Sequence, residues 1–559
     1  MKNEQILLKK PLVIIFLSIL LGSVLYYLGF NVYSLILVGL FISSLYVFGG
    51  RKEILLFSFF IVMSLGVNHL YYKVQTNDIS NFKVRIRESY YNEYLATYKG
   101  RKIYVKVSKL KLDKGREYVI NGYFKTEVDK NKGIVGTLEG KYVYGEKEDV
   151  ITKLYEYREY LYNRMKSVLS EENAALVSAT SFGYVEGLTS EQKDYMKYYG
   201  LIHIISVSGF HMALIYKILN KIFDYRITLL ICVVYAVFTG ASAATLRSLF
   251  MIIVLKLGEA LYKEYDALSA LCFSGIILCL ISPYNALDLG FQLSYLATLG
   301  IILFNSKLDR FFYKLPKYLR EAVAISISPQ ILTYPILGVT IGYFSLNVVI
   351  SNIILMPFFT LIVILGNLLL LLSVWDKLFI VTLKVCEFIS VIIDGLINLL
   401  NHVSIPLIPL EREVMFYYII CFGSFIFVKK GIKAFRKIPL VFLIPVAISI
   451  YSPFPKIDID KNKEIRVSYR GEISKYIVED NKIKEKDALT GINKRYIDKI
   501  PLAKGESYII LSKGLLGIKT PSKEIYCFSI NQNNPNYDII QLNNNERFLV
   551  VKNKIIRFW

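Results

Sequence analysis

Apolar runs long enough to enter a bilayer recur along this chain, and nothing else constrains its fold as strongly. The first extends from Pro11 to about Tyr27, the second from Val32 to Phe48, and the third from Ile54 to about Tyr72. A helix needs roughly 20 such residues to cross the hydrocarbon. More runs follow at approximately 227–239, 245–261, 267–282, 291–305, 319–343, 346–373, 378–400, 414–429 and 438–452. With the segment His203 to Leu219 they predict roughly 10 to 13 crossings or half-crossings, several of them interrupted. The chain of 559 residues is 54% hydrophobic with mean hydropathy +0.43, which excludes an ordinary soluble domain. The expected class is a polytopic α-helical membrane protein with soluble parts. Further runs follow the first at once, so it reads as a span and not as a cleavable leader. Lys9, Lys10, Arg51 and Lys52 flank the early runs. Positive flanks stay inside, which places the N-terminus in the cytoplasm and residue 73 onward outside the cell.

Charge makes up 20% of the residues and the net charge is +22. It cannot sit in the spans, so it must concentrate in soluble portions facing an anionic partner such as nucleic acid or lipid head groups. Residues 73–150 hold 17 Lys/Arg against 11 Asp/Glu. They contain alternating runs such as IYVKVSKLKL (103–112) and EYVINGYFKTEV (117–128), broken by Gly, Asn and Asp, the pattern of a small β-domain. Tyrosines lie among its basic residues. Lys102, Tyr104, Lys106, Lys109 and Lys111 form the candidate DNA-binding surface, because aromatic faces beside cations suit single strands. Strand tyrosines also serve cross-strand packing, and both uses stay open. Residues 151–175 carry Arg158, Arg164 and Lys166 on an apolar periodicity, read as an amphipathic helix at the interface. Residues 455–559 are basic and strand-like.

The most informative stretch is LIHIISVSGFHMA, Leu201 to Ala213. Thr189 or Ser190 caps the helix before it, and Gly200 ends that helix. Within it His203, Ser206, Ser208, Gly209 and His211 stand on an apolar background. Serine and glycine weaken a helix there, and broken backbone at membrane depth persists only where protein or a wet cavity receives its polar groups. The stretch reads as a polar break along a path through the bilayer, or as a helix end at the interface. Arg247 opens an apolar run after GASAATL, where a cation is costly unless it meets water or an anion. Asp288, Gln292 and Ser294 lie in LDLGFQLSYLATLG, Gln330 and Tyr334 in SPQILTYP, and Asn352 before Pro357 in SNIILMP. These side chains can line a pore or bond a neighbouring helix.

Catalytic footholds are few. The chain has no Walker A sequence and no G-x-S-x-G elbow. Zinc takes three or four ligands, and His203 and His211 have no third histidine close by. The six cysteines form no C-x-x-C pair and read as small buried apolar residues. No enzyme, metal or cofactor is expected.

The run FGYVEGLTSEQKDYMKYYGLIHIISVSGFHM resembles the signature of the ComEC-type competence proteins, with its string from Gly200 to His211. TGASAATLRSLFM, carrying Arg247, is similar to the family's second block. SPYNALDLGFQLSYLATLG, carrying Asp288, Gln292 and Ser294, is similar to the third. The resemblance implies an OB-like extracellular domain after the first spans, and a channel that passes single-stranded DNA into the cytoplasm during natural transformation. Because the chain has no motor motif, a cytoplasmic ATPase motor would have to pull the strand, and a DNA receptor outside and membrane lipid are the other expected partners. Many members add a metallo-β-lactamase-like nuclease domain with an H-x-H-x-D-H cluster, whereas residues 455–559 contain no histidine. A small-solute or lipid-linked transporter, its basic domains held on membrane surfaces, is the alternative from another class.

Overall fold

The computed structural model describes residues 10–29, 31, 32, 34, 38, 39, 51–74, 80–89, 93–107, 112–147, 149–205, 207–262, 264–340, 343–402, 408, 409, 412–429, 431–450, 454–459, 464–469, 472–479, 482–486, 493–502, 507–512, 515–519, 525–529, 540, 541, 546–551 and 554–558. Ser206, Lys109, Lys111 and most of the run 32–48 lie outside the described residues. The chain divides into two compact units. One comprises Met1–Leu188, His203–Leu332 and Asn352–Leu399; the other comprises Thr189–Ile202, Thr333–Ser351 and Leu400–Trp559.

The first unit begins with α1 (Pro11–Leu28) and α2 (Arg51–Tyr72). Proline starts α1 at a position whose N–H has no helical acceptor. The pair packs through small and polar residues. A Cβ on Gly22 would lie 2.6 Å from Ser64 Cβ and 2.8 Å from the Ile61 carbonyl oxygen. Ser64 Oγ donates to the Ile19 carbonyl at 2.8 Å, and Asn68 Nδ2 donates to Ser23 Oγ at 3.1 Å. Lipid supplies no hydrophobic force between helices, so close approach and hydrogen bonds hold them.

Five strands follow: β1 (Ser80–Ser89), β2 (Tyr94–Tyr98), β3 (Arg101–Val107), β4 (Glu117–Lys125) and β5 (Ile134–Lys147). They close into a barrel of order β1-β2-β3-β5-β4, in which β4 returns to β1 and β3 runs parallel to β5. Alternation selects the interior: Ile103 and Val105 point inward from β3, and Tyr118, Ile120 and Phe124 from β4. Tyr71 and Tyr72, at the end of α2, join this core. The Tyr71 hydroxyl donates to the Gly133 carbonyl at 2.9 Å and accepts from the Lys102 N–H at 3.1 Å. The barrel is therefore seated on the end of a membrane helix.

The run 151–175 departs from its expected form. It is two helices, α3 (Val150–Lys166) and α4 (Glu171–Phe182). Ser170 caps the second by accepting from the Asn173 N–H, and Glu171 and Glu172 oppose the positive end of its dipole. Arg158 is buried, not spread on an interface. Arg164 lies over the Phe379 ring and bonds Asp376.

The membrane part continues through α6 (Ile202–Ile205), α7 (Gly209–Leu219), α8 (Tyr225–Phe238), α9 (Ala243–Ala260), α10 (Ala267–Ile281), a 3-10 turn (Pro283–Ala286), α11 (Leu289–Phe311) and α12 (Lys317–Ile327). The helix between α4 and α6, α5 (Ser190–Tyr198), belongs to the second unit. After α12 come α13 (Gln330–Thr340), α14 (Asn347–Ile354), α15 (Met356–Leu372) and α16 (Asp376–Asn401). Among the described residues three helices are long and apolar enough to cross by themselves: α1, the Leu55–Tyr72 part of α2, and α11. Helices α14 and α15 make a fourth if they form one span bent by 54°. The bend falls beside Pro357, which lacks an N–H and clashes with the preceding turn. Simple crossings are thus fewer than apolar runs. Helix α7 has 11 residues, α8 has 14 and α10 has 15. At about 1.5 Å per residue none spans a core of about 30 Å alone. Helix α9 carries Arg247, Lys256 and Glu259. Helix α16 is long but charged, and its outward face is nonetheless apolar: Ile380, Val381, Val385, Phe388 and Val391 are exposed while Phe379, Leu383 and Cys386 are buried. An apolar outer face of this length calls for lipid, not water.

In the second unit, Thr189 caps α5 in a capping box with Gln192, and Gly200 at φ 70° ends it. The Gly200 position also lies against Val348, where a Cβ would come within 2.8 Å. Two-residue strands β6 (Tyr343–Phe344) and β7 (Ile408–Pro409) pair, and α17 (Arg412–Lys429) and α18 (Ile438–Ile450) follow. The remaining strands, β8 to β19 (Lys456–Phe558), form a seven-stranded and a five-stranded sheet. Ile457, Ile465, Ile500, Ile509, Ile518 and Phe548 share one core, so the two sheets face each other across it. The protein is therefore largely helical, with two separate β-rich regions.

Candidate functional site

The break in the stretch 201–213 is present. Helix α6 ends at Ile205, and α7 restarts at Gly209 with Ser208 as its cap. Ser208 Oγ accepts from the Phe210 N–H at 3.3 Å. The Ser208 N–H donates to His211 Nδ1 at 3.0 Å. That bond assigns the proton of a neutral ring to Nε2, which is buried and faces the Thr180 backbone. His211 closes the break from within, whereas His203, on α6, is exposed.

Gly209 is where the blocks meet. A Cβ there would lie 2.5 Å from Ser248 Oγ and 2.6 Å from Arg247 Nη2. Only a residue without a side chain lets the start of α7 rest on the guanidinium of α9. Arg247 Nε donates to Ser294 Oγ of α11 at 3.0 Å, and Nη1 lies 3.7 Å from Met251 Sδ. Arg247 is 8% exposed and pairs with no carboxylate among the described residues. One buried cation thus joins three sequence blocks: the Ser-Gly break, the small-residue run before α9, and the start of α11. Thr245 Oγ1 donates to the Val207 carbonyl at 2.9 Å, so α9 also receives a polar group freed by the break.

Other candidates serve helix ends and packing. Asp288 caps α11 by accepting from the Phe291 N–H at 2.9 Å. Gln292 Nε2 donates to the Ala286 carbonyl at 2.9 Å, tying α11 to the 3-10 turn. The Tyr295 ring stacks on Phe291 at 4.1 Å, and its hydroxyl meets Ser274 Oγ at 2.8 Å. Asn352 Nδ2 donates to Ser326 Oγ at 3.1 Å, while its Oδ1 is buried without a partner. Gln330 lies at the start of α13 in the first unit, and Tyr334 on the same helix belongs to the second. Sequence reasoning missed Ser248, whose hydroxyl stands against Gly209; its place one residue after Arg247 was the available signal.

On the barrel, Lys102, Tyr104 and Lys106 alternate outward along β3. Lys102 Nζ lies 3.9 Å from the centre of the Tyr284 ring, and its burial there lowers the ammonium pKa. Lys106 pairs with Glu93 at 2.8 Å, and the Tyr104 hydroxyl accepts from Lys132 Nζ at 3.2 Å. Of this surface, Lys102 is committed to holding the barrel on the helices. Among the described residues no group of three or more His, Cys, Asp or Glu is placed to hold a metal.

Fold and site together define a membrane protein whose helical part is interrupted by a polar break resting on a buried arginine, with a β-barrel beside its first helices. Residues 181–430 match the family model described as Competence protein, and this stretch is similar to ComEC-type proteins. It is 28% identical over 235 residues to ComE operon protein 3 of Bacillus subtilis (strain 168), covering 40% of this chain and 29% of that protein. It is 25% identical over 218 residues to an uncharacterized protein of Aquifex aeolicus (strain VF5), covering 37% of this chain and 50% of that one. The matches therefore span half or less of each relative's length. No solved structure matches the chain.

Proposed function

We propose that this protein is a channel that conducts single-stranded DNA across the cell membrane into the cytoplasm during natural transformation. The observation that carries this reading is the Gly209–Arg247–Ser294 junction. A cation held at a break in the membrane helices, without a carboxylate partner among the described residues, offers a passing phosphate a counter-charge. Phosphates at every nucleotide make bare hydrocarbon impassable, so a strand needs such points. The barrel adds support. Its strand order and β1–β4 closure support reading it as an OB-like domain, a fold that takes single strands on a basic, aromatic face. In this reading the barrel is extracellular, the N-terminus is cytoplasmic, and a DNA receptor outside and an ATPase motor inside complete the route. The protein itself is not an enzyme and needs no cofactor.

The test is uptake of labelled DNA in cells carrying Arg247→Ala or His211→Ala at normal protein levels. A drop of tenfold or more supports the reading; unchanged internalisation removes these side chains from the path. Binding separates the channel from a solute transporter. The purified full-length protein should hold a labelled oligonucleotide with an affinity that falls steeply with salt, and absence of such binding favours the transporter.

A further inference from the structure

We infer that the first unit contains a phosphodiester-binding pocket, separate from the Arg247 junction, that takes one phosphate group of a nucleic acid strand where the barrel meets the helices. The inference rests on the channel reading for its ligand, but not for its site. A cavity of about 210 Å³ lies between β1, the connection to β4, α3 and the ends of α4 and α8. Its charged wall is Arg87, Glu88, Lys114, Arg158 and Glu186: three cations to two carboxylates. Lys114 is paired with Glu186 at 2.5 Å, so the pocket keeps an excess of one positive charge.

Arg158 decides the chemistry. It is 4% exposed, and its Nε and Nη2 are buried without a hydrogen-bond partner. These nitrogens form one edge of the guanidinium, the edge that takes an oxyanion through two parallel bonds. The face of the group is already used, 4.0 Å over the Tyr155 ring and 5.8 Å from the Phe238 ring. Stacking orients a guanidinium but satisfies none of its in-plane donors. An orphaned buried cation is costly to keep, and a bound anion would remove that cost. One excess charge matches a phosphodiester, which carries one negative charge. The rest of the wall is two tyrosines, a threonine and two glycines. It has no aliphatic side chain, so a phospholipid's acyl part finds no apolar support beside its head group. A strand, which is polar on both sides of each phosphate, fits better.

The test uses the full chain in phosphatidylcholine nanodiscs, with a short oligothymidylate read by fluorescence anisotropy and dimethyl phosphate read by thermal shift. For Arg158→Gln, affinity for the oligonucleotide should fall about 10- to 100-fold. Its salt slope should become shallower by about 0.7, the value of one phosphate contact on a single strand. The dimethyl phosphate shift of the wild type should disappear in the variant. Arg158→Met keeps the stacked stem and removes the orphaned charge, so without ligand its melting temperature should equal or exceed that of the wild type. If the wild type binds oligonucleotide and Arg158→Gln matches it in affinity and slope, the pocket is overturned while the channel reading stands. If the wild type binds dimethyl phosphate through Arg158 but no oligonucleotide, the channel reading falls and the phosphodiester site survives without its strand. Arg158-dependent binding of phosphatidylglycerol in place of oligonucleotide overturns the strand as occupant. A clear drop in melting temperature for Arg158→Met overturns the site itself, because the arginine is then structural.

Discussion

At the scale of single residues, glycine and charge set the chemistry. Gly209 touches Arg247 and Ser248, and α9 cannot retreat while Arg247 holds Ser294. Gly209→Ala should therefore displace the guanidinium at a cost of about 1–3 kcal/mol. Transformation frequency should drop at least tenfold, and Ser248→Ala added to it should restore part of the loss. If Gly209→Ala alone transforms normally, Arg247 is not held by this contact. Outside the membrane, Arg85 bonds Asp149 and holds its carboxyl well below the usual carboxylate range. Asp149 also caps α3 by accepting from the Thr152 N–H at 2.9 Å. A depressed carboxylate pKa stabilises the fold above the unfolded value near 4, and that contribution is lost as pH falls through the folded value. Asp149→Asn keeps the cap but loses the charge. Its melting temperature should lie below the wild type's at neutral pH, and the gap should close progressively below about pH 4. A gap independent of pH would show that the pairing with Arg85 adds nothing. Much at this scale was legible. Gly200 and Thr189 end and start α5 as their types require, because caps are local. Asp288 was not legible as a cap: an acid near a membrane helix looks the same in one dimension whether it lines water or closes a helix end.

At the scale of elements, helices α1 and α2 cross where Gly22 faces Ser64 and the backbone of Ile61. Gly22→Leu puts a side chain into a carbonyl that cannot rotate away, and should cost about 1–3 kcal/mol or more. A cysteine pair placed across the crossing should crosslink in the parent and not in Gly22→Leu; equal crosslinking would mean the helices do not need the close approach. The β-strand periods at 103–107 and 117–125 were readable, since inward and outward residues alternate with the pleat. Helix lengths were not. An apolar run such as 267–282 carries no mark of whether it ends as a 15-residue helix and a turn or as a full span. That depends on Asn285, whose Nδ2 donates to the Leu278 carbonyl, and on neighbours far along the chain.

At the scale of the whole molecule, the basic excess of +22 and the apolar helices divide the protein between water and lipid. If residues 73–150 face outward, a cysteine introduced at the exposed Lys141 should react with an impermeant maleimide in intact cells, and labelling only after lysis would reverse the orientation. The apolar periodicity, the alternation of the barrel strands and the helix caps follow from the sequence alone, because each arises from residues within a few positions of one another. The closure of β1 on β4, the burial of Arg158, and the meeting of Gly209, Arg247 and Ser294 were decided only by the tertiary structure. Those contacts join residues dozens of positions apart, and local propensity carries no information about which distant partner completes a hydrogen bond or fills a space.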